Sequence, residues 1–261
     1  MSGFGIRLRA LLFPPRCAAC DELLDWFEVG HGSDALCPEC LKKWNEAALE
    51  RCEVCGEAVS VCRCLTEELG RAKVRELRTL VYYRARKNDT VQNQVIFRIK
   101  EGRDARTDTW LAMQLQKHLA AIMAEAGEDN VILTYAPRSR RAVLKTGTDQ
   151  ARSLAQALSR QSGVPLVTVL CRAAGRAQEQ KRLSAEERVL AAKNAYLLQG
   201  EATDALKGMT VVLIDDIVTT GATSGACARL LRQGGALRVY CLAVASDDTN
   251  RDAAVPADSR K

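Results

Sequence analysis

The chain has few long apolar runs, few aromatic residues and few histidines. Each of these shortages makes one class of function less plausible. No run approaches the roughly 18 consecutive apolar residues that a membrane-spanning helix needs, so we expect no membrane span. Aromatic residues make up only 5% of the 261 residues, so side chains that could stack on nucleic-acid bases are scarce. Only two histidines, His31 and His118, are present as candidates for acid–base chemistry.

The amino-terminal segment also lacks the features of an export signal. Its apolar stretch, residues 6–13, is short, contains two arginines and has no small-residue cleavage site after it. We therefore expect the protein to be cytoplasmic. Cysteines of cytoplasmic proteins more often bind metals than form disulfides.

Eight of the eleven cysteines fall in four close pairs. They are Cys17 and Cys20, Cys37 and Cys40, Cys52 and Cys55, and Cys62 and Cys64. A C-x-x-C turn points two thiolates at one metal, and two such turns complete a tetrahedral site. The spacing predicts about two structural zinc ions, with sequential pairing favoured and an interleaved cross-brace left open. Disulfides, a redox switch and an iron–sulfur cluster are less favoured alternatives, since ferredoxin spacing is missing.

Charge divides the chain into two parts. Residues 1–70 hold 7 Lys and Arg against 12 Asp and Glu, whereas residues 71–261 hold 31 against 20. The basic part indicates a polyanionic partner such as pyrophosphate, a nucleotide or nucleic acid. We predict a cysteine-rich double zinc-ribbon domain at 1–70, an α/β domain at 71–248 and a polar tail at 249–261.

Strand-like and helix-like segments alternate along the second part. Apolar stretches predict strands at 77–84, 131–135, 164–170, 195–198, 211–214 and 237–245, and helical periodicity predicts helices at 91–100, 109–126, 149–162 and 224–233. Polar residues predict a link at 67–73 and a basic loop at 138–147. Such alternation is typical of a parallel α/β sheet.

Residues 211–223 are the most informative stretch. A buried strand leads into Asp215 and Asp216, and a short threonine-rich loop then opens a helix. Ligands of open α/β sheets bind at the carboxyl ends of strands. The amides and hydroxyls of such a loop suit a phosphate, and adjacent carboxylates suit ribose hydroxyls or a magnesium shell. We expect both carboxylates to be accessible in a cleft, since burying an unpaired carboxylate is costly.

This stretch resembles the phosphoribosyl pyrophosphate (PRPP) signature of type I phosphoribosyltransferases. The resemblance implies that Asp215 and Asp216 bind the ribose hydroxyls of PRPP. It also implies that magnesium binds together with PRPP. The loop that would hold the 5′-phosphate is Thr219, Thr220, Gly221, Ala222 and Thr223. Neither histidine lies near this stretch, so Asp216 is the best candidate for a general base.

Two basic segments follow predicted strands at the same edge of the sheet. The first contains Arg138, Arg140, Arg141 and Lys145, and the second contains Arg172, Arg176, Lys181 and Arg182. Cations at this edge would stabilise the charge of a departing pyrophosphate, although solvated loops are the alternative. We take Arg138, Arg140 and Arg141 as candidate PRPP-binding residues.

Nearly the whole chain resembles the ComF/GntX family, which includes competence proteins of bacterial DNA uptake. The matching residues are Leu-Leu-Phe-Pro-Pro-Arg-Cys at 11–17, Cys37-Pro38-Glu39-Cys40, Lys100 with Gly102, Arg140-Arg141 before Gly147 and Gln150, and Gln180 followed by Leu183-Ser184 and Arg188. The family's Arg-Gly-Phe-Asn-Gln is here Thr146-Gly147-Thr148-Asp149-Gln150.

The family resemblance implies an α/β fold, with a type I phosphoribosyltransferase-like parallel sheet and a small amino-terminal zinc-ribbon domain. It implies a PRPP-binding-fold protein that supports uptake and processing of single-stranded DNA, with competence helicase or recombination proteins as partners. One alternative is an active phosphoribosyltransferase that uses PRPP, magnesium and a base or amine acceptor. A second alternative is a regulator that senses PRPP without turning it over.

Overall fold

The structure is a computed structural model that describes residues 14–24, 35–84, 89–102, 105–127, 130–173, 195–200 and 204–247. Several sequence predictions lie outside these residues. They concern most of the amino-terminal lead-in, the basic residues Arg176, Lys181 and Arg182, and the polar tail.

Helices and strands alternate through the described residues. In chain order they are α1 (Pro38–Ala48), α2 (Glu67–Arg71), β1 (Leu77–Tyr83), α3 (Val91–Lys100), α4 (Ala105–Ala126), β2 (Val131–Tyr135), α5 (Arg140–Thr146), α6 (Gln150–Ser162), β3 (Leu170–Arg172), β4 (Tyr196–Leu198), a 3₁₀ turn (Asp204–Leu206), β5 (Thr210–Val218), α7 (Ala222–Gln233) and β6 (Arg238–Asp247).

Four parallel strands form the main sheet in the order β1-β6-β5-β2. Strands β5 and β6 are buried almost throughout, because helices cover both faces of the sheet. Tyr135 of β2 pairs with Ile214 of β5, so these two strands end at the same edge. The predicted parallel α/β sheet is confirmed.

Two segments that were predicted to be irregular are short helices, because each has a polar cap. The predicted loop at 138–147 contains α5, where the Ser139 hydroxyl accepts a hydrogen bond from the Ala142 amide at 3.2 Å. Gly147, with a φ of 78°, ends that helix in the left-handed conformation. The predicted link at 67–73 contains α2, capped by the Thr66 hydroxyl, which accepts from the Leu69 amide.

The predicted strand at 164–170 is also wrong in most of its length. Only its last residue belongs to β3, which pairs antiparallel with β4 outside the main sheet. Pro165 has no amide to donate to a ladder, which limits pairing with β2. The segment makes two backbone hydrogen bonds to Leu133, from the Leu133 amide to the Pro165 carbonyl at 2.8 Å and from the Val167 amide to the Leu133 carbonyl at 2.9 Å.

Parts of the cysteine-rich segment pack into the core on both faces of the sheet. On one face, Trp44 of α1 meets Trp110 of α4 edge to face, with ring centroids 5.0 Å apart. On the other face, Leu65 and Leu69 join the apolar cluster that contains α7. The predicted domain boundary near residue 70 stays a prediction. In the part of the chain that the structure describes, no helix combines the length and apolarity of a membrane span.

Candidate functional site

The acidic pair lies near the carboxyl end of β5, and its two members differ in exposure. Asp215 is only 6% exposed, whereas Asp216 is half-buried. The Ser224 hydroxyl of α7 donates to Asp215 Oδ2 at 2.6 Å, and the Asp216 amide donates to Asp215 Oδ1 at 2.9 Å. The expectation that both carboxylates are accessible is therefore wrong for Asp215. Burial is tolerated there because both carboxylate oxygens have a donor.

Burial raises the pKa of Asp215 well above its ordinary range, and the negative charge of Asp216 raises it further. The hydrogen bond from Ser224 opposes this rise in pKa because it stabilises the charged carboxylate. Asp216 accepts a hydrogen bond from the Ile217 amide through Oδ1 at 2.8 Å. Asp216 is thus the carboxylate that a ligand at this edge can reach, and Asp215 lies behind it.

The threonine-rich loop joins β5 to the amino terminus of α7. Thr219, Thr220 and Thr223 are exposed, and the Ala222 amide donates to the Thr220 hydroxyl at 3.3 Å. Gly221 precedes the helix in the left-handed conformation, with a φ of 79°. The first turn of a helix leaves amides without intrahelical partners and carries the positive end of the helix dipole. This loop, residues 219–223, can therefore hold a phosphate, and we call it the phosphate loop.

Tyr196, which sequence reasoning did not assign to the site, lies beside the phosphate loop together with Arg172 of the second basic segment. The Tyr196 side chain of β4 lies near the Thr223 side chain, and burial raises the pKa of Tyr196. The Arg172 guanidinium of β3 lies 5.4 Å from the centroid of the Tyr196 ring, a cation–π distance. This stacking brings one arginine of the second basic segment close to the phosphate loop. Tyr196 carries no local signal, since it stands in a three-residue strand after a long polar stretch.

The arginines that follow β2 divide into one engaged and two exposed residues. The Arg138 side chain donates to the Gln150 Oε1 atom and, at 3.3 Å, to the Thr146 hydroxyl, so it ties α5 to α6. Arg140 and Arg141 are exposed on α5. The Ala136 amide donates to the Ile214 carbonyl at 3.0 Å, which places α5 just beyond the edge that carries the acidic pair. Their role in PRPP binding stays a prediction.

The eight paired cysteines form two clusters of four, in sequential order. Cluster 1 is Cys17, Cys20, Cys37 and Cys40, and cluster 2 is Cys52, Cys55, Cys62 and Cys64. Within each cluster the sulfur atoms lie within 4.8 Å of one another. Zinc–sulfur bonds of about 2.3 Å place the sulfurs of a tetrahedral site about 3.8 Å apart. The Sγ atoms of Cys20 and Cys37 are 3.7 Å apart, and those of Cys55 and Cys62 are 3.6 Å apart.

The clusters therefore fit structural zinc with four thiolates for each ion, which leaves no coordination position for a reactive water. The Cys37 amide donates to Cys17 Sγ at 3.3 Å, and the Cys64 amide donates to Cys62 Sγ at 3.4 Å. Such backbone donors stabilise thiolate charge and fix the direction of each ligand.

Comparisons with known proteins match both parts of the chain. The model of the phosphoribosyl transferase domain matches residues 140–259, and the model of the double zinc ribbon domain matches residues 8–70. The chain is 26% identical to the competence protein ComFC of Bacillus subtilis (strain 168) over 206 residues. That similarity covers 77% of this chain and 80% of ComFC.

Two solved structures are also similar to parts of the chain. One is the allosteric regulatory enzyme of purine biosynthesis, with 17% identity and a TM-score of 0.32, covering 59% of this chain and 26% of that chain. The other is the protein TT1426 from Thermus thermophilus, with 19% identity and a TM-score of 0.31, covering 53% of this chain and 74% of that chain.

The double zinc ribbon model covers the residues of the two cysteine clusters. The phosphoribosyl transferase model covers part of the parallel sheet that follows them. The similarity to ComFC covers 77% of the chain, which is more than residues 71–261 alone provide, so it reaches into both regions. The chain therefore belongs to the ComF family, as a phosphoribosyltransferase-fold protein with an amino-terminal double zinc ribbon.

Proposed function

We propose that this ComF-family protein binds PRPP at the edge formed by Asp216 and the phosphate loop, and that it supports the processing of imported single-stranded DNA in competence. One observation carries the PRPP part of the proposal. Strand β5 carries the half-buried Asp216 near its carboxyl end, and the phosphate loop and the first turn of α7 follow at the same edge. The carboxylate suits the ribose hydroxyls of a ribose 5-phosphate, and the helix terminus suits its phosphate.

Each part of the site would then have a separate task. Asp216 accepts hydrogen bonds from the ribose hydroxyls, and Asp215 holds the strand end through Ser224. The amides and hydroxyls of the phosphate loop receive the 5′-phosphate. Exposed arginines, Arg140 and Arg141 of α5 together with Arg172 of β3, attract the pyrophosphate. Magnesium, when bound with PRPP, would supply the remaining positive charge that the pyrophosphate needs.

The DNA part of the proposal depends on the similarity to ComFC and on the positive charge of residues 71–261. ComFC is named a competence protein, and residues 71–261 carry 31 Lys and Arg against 20 Asp and Glu. A basic domain attracts the phosphates of single-stranded DNA without regard to sequence. We further propose a cytoplasmic location, competence helicase or recombination proteins as partners, and about two structural zinc ions in an amino-terminal domain that ends near residue 70.

The alternative is an active phosphoribosyltransferase with a base or amine as acceptor. Arg172, which stacks on the Tyr196 ring next to Thr223, favours it, because a cation there would stabilise departing pyrophosphate. The candidates for a general base favour binding without turnover. Asp215 is buried with both oxygens occupied, and His118 lies on α4, where burial lowers its pKa to about 4. Asp216 is then the one acidic side chain of the pair left to accept a proton.

Calorimetric titration with PRPP and magnesium tests the binding site. Asp216→Asn should weaken PRPP binding at least about tenfold, the size of effect that a lost charge-assisted hydrogen bond produces. Asp204→Asn is the matched control, because Asp204 is an exposed aspartate that precedes β5 at the opposite edge. Wild-type protein that binds no PRPP, or equal affinity in wild type and Asp216→Asn, would contradict the proposal.

Two further experiments separate DNA binding from transferase activity. Fluorescence titration with labelled single-stranded DNA at low and high salt should show affinity that falls as salt rises. Incubation with PRPP and a panel of bases and amines should release no pyrophosphate. Pyrophosphate release together with absent DNA binding at low salt would replace the first proposal by the transferase.

A further inference from the structure

The segment that leaves cluster 2 runs directly to the phosphate loop. Cys64 is the last ligand of that cluster, and Leu65, Thr66 and Leu69 follow it as fully buried residues with at most 1% exposure. Thr66 caps α2, a helix of only five residues. Helices this short are not stable alone, so the position of α2 depends on what holds its two ends.

One face of α7 receives this helix at three positions, four residues apart. A Cβ atom at Gly221 would collide with the Thr66 hydroxyl and would lie 3.0 Å from Leu69 Cγ. A Cβ atom at Gly225 would lie 3.0 Å from the Glu68 carbonyl oxygen. One turn further, the Arg229 Nη1 atom is 3.6 Å from Glu68 Oε2. The contact therefore starts at the phosphate loop itself and continues along the first two turns of the helix behind it.

Cluster 2 lies directly before the amino-terminal end of α2. Its Cys62 and Cys64 flank Arg63, whose Nη1 atom is 3.2 Å from Oε1 of the buried Glu76, just before β1. Four thiolates on one zinc ion would fix the backbone at Cys64. The chain between this fixed point and Thr66 is one residue long, so little slack remains between cluster 2 and the phosphate loop.

We propose that α2 is the support of the phosphate loop and that the metal state of cluster 2 sets how well ordered this loop is. Thr66 and Leu69 are then positioning residues, which act on a bound phosphate through Gly221 and make no contact with the phosphate. Glycine is needed at 221 both for its φ of 79° and for the close approach of Thr66. A displaced α2 leaves the phosphate loop without the buried side chains against which it rests.

Cluster 1 provides an internal control, because its neighbours lie elsewhere. Its helix α1 carries Trp44, which packs against Trp110 of α4 on the other face of the sheet. Asp21, beside Cys20, pairs with Arg98 of α3 at 2.5 Å. Metal at cluster 1 should therefore stabilise the packing of α1 against α4 and should not change the order of the phosphate loop.

Amide hydrogen exchange of the full-length protein, without PRPP, tests the proposal. The double variant Cys62→Ser, Cys64→Ser should speed exchange at residues 219–223 about tenfold or more, which corresponds to a loss of about 1.4 kcal/mol of local stability. The double variant Cys17→Ser, Cys20→Ser should leave exchange in this loop unchanged. Equal acceleration of the loop by both variants, or acceleration by neither, would overturn the proposal.

A second pair of variants leaves every cysteine in place and so avoids any loss of folding that follows zinc loss. Gly225→Ala puts a Cβ against the Glu68 carbonyl and should push α2 off α7. Gly70→Ala puts a Cβ into open space on α2, with nothing within 4 Å, and is the matched control. Both changes favour a helix intrinsically, so only the contact differs. Faster exchange at residues 219–223 in Gly225→Ala alone supports the proposal, whereas identical exchange in the two variants overturns it.

A PRPP titration extends this test, and here the inference rests on the proposed function. If the wild-type protein binds PRPP, Gly225→Ala should weaken the affinity severalfold and Gly70→Ala should not, because a disordered loop lowers the competent fraction. Unchanged affinity in Gly225→Ala despite a loosened loop would overturn the role of Thr66 and Leu69 in positioning. Wild-type protein that binds no PRPP overturns the proposed function, while the exchange experiment still decides whether α2 supports the loop.

Discussion

Replacing Ser224 by alanine isolates the hydrogen bond that allows Asp215 to be buried. The Ser224 hydroxyl is buried, at 1% exposure, and donates to Asp215 Oδ2 at 2.6 Å. A hydrogen bond to a charged group contributes about 1.5–3 kcal/mol, and the better helix propensity of alanine returns about 0.5 kcal/mol. We therefore expect Ser224→Ala to lower the free energy of unfolding by about 1–2.5 kcal/mol.

The dependence of this loss on pH follows from the pKa of Asp215. Burial and the charge of Asp216 raise this pKa above its value in the unfolded chain. The contribution of Asp215 to stability is therefore complete below the unfolded pKa, near 3.9, and is lost as pH rises through the folded pKa. Ser224→Ala removes the donor that opposes the rise in pKa, so its destabilisation should grow as pH increases through this window. Asp215→Asn, which cannot ionise, should become more stable than wild type over the same window.

Urea unfolding of the zinc-loaded protein at about pH 5 and about pH 8 measures both effects. A double-mutant cycle with Ser224→Ala and Asp215→Asn should show coupling, because the hydroxyl loses its charged partner. Ser162→Ala is the control, since the Ser162 hydroxyl of α6 donates to the Leu158 carbonyl at 2.8 Å, a backbone acceptor that does not ionise. The reasoning is refuted if Ser224→Ala costs the same at both pH values and in both backgrounds.

Three further predictions concern the metal, the core and the DNA surface. Metal analysis of purified protein should find about two zinc ions per chain, and zinc-free protein with cluster 1 in disulfides would contradict this. Trp44→Ala should lower the free energy of unfolding by about 3–5 kcal/mol in urea titrations, because it empties a buried site against Trp110, while Trp44→Phe should cost less. Arg140→Glu with Arg141→Glu should weaken single-stranded DNA binding equally for all sequences and reduce the slope of log affinity against log salt by about 0.7 per lost phosphate contact. A change in sequence preference, or an unchanged slope, would count against phosphate contacts there.

Elements with strong local signals were predictable from the sequence. The apolar run of β5 followed by two acids and a threonine-rich loop predicts a strand and a following helix, although β5 continues through both acids to Val218 and α7 begins at Ala222, two residues before the predicted start. Likewise, α3 and β2 have the predicted bounds, 91–100 and 131–135, because apolar periodicity alone defines them. Turn spacing favours the sequential grouping of the cysteines but leaves the interleaved alternative open, and the structure shows the sequential one.

Features that depend on distant contacts were not predictable. Leu69 stands in a polar segment, so nothing nearby indicates that it is buried or that α2 lies against Gly221. Asp215 is predicted to face solvent because its partner Ser224 lies on the next element, and only the turn of Gly221 brings them together. Residues 138–147 are predicted to be a loop because they are rich in arginine and polar residues. The helix there depends on its two caps, Ser139 and Gly147.

The edge-to-face contact of Trp44 and Trp110 provides an intrinsic spectroscopic signal for the packing of α1 against α4. One ring belongs to the helix that carries Cys40 and the other to the long helix α4, and the rings meet at an angle of 66°. Two indoles at such short range interact electronically, and their near-ultraviolet circular dichroism depends on mutual orientation. Release of metal from cluster 1 can therefore be followed through this signal without a label.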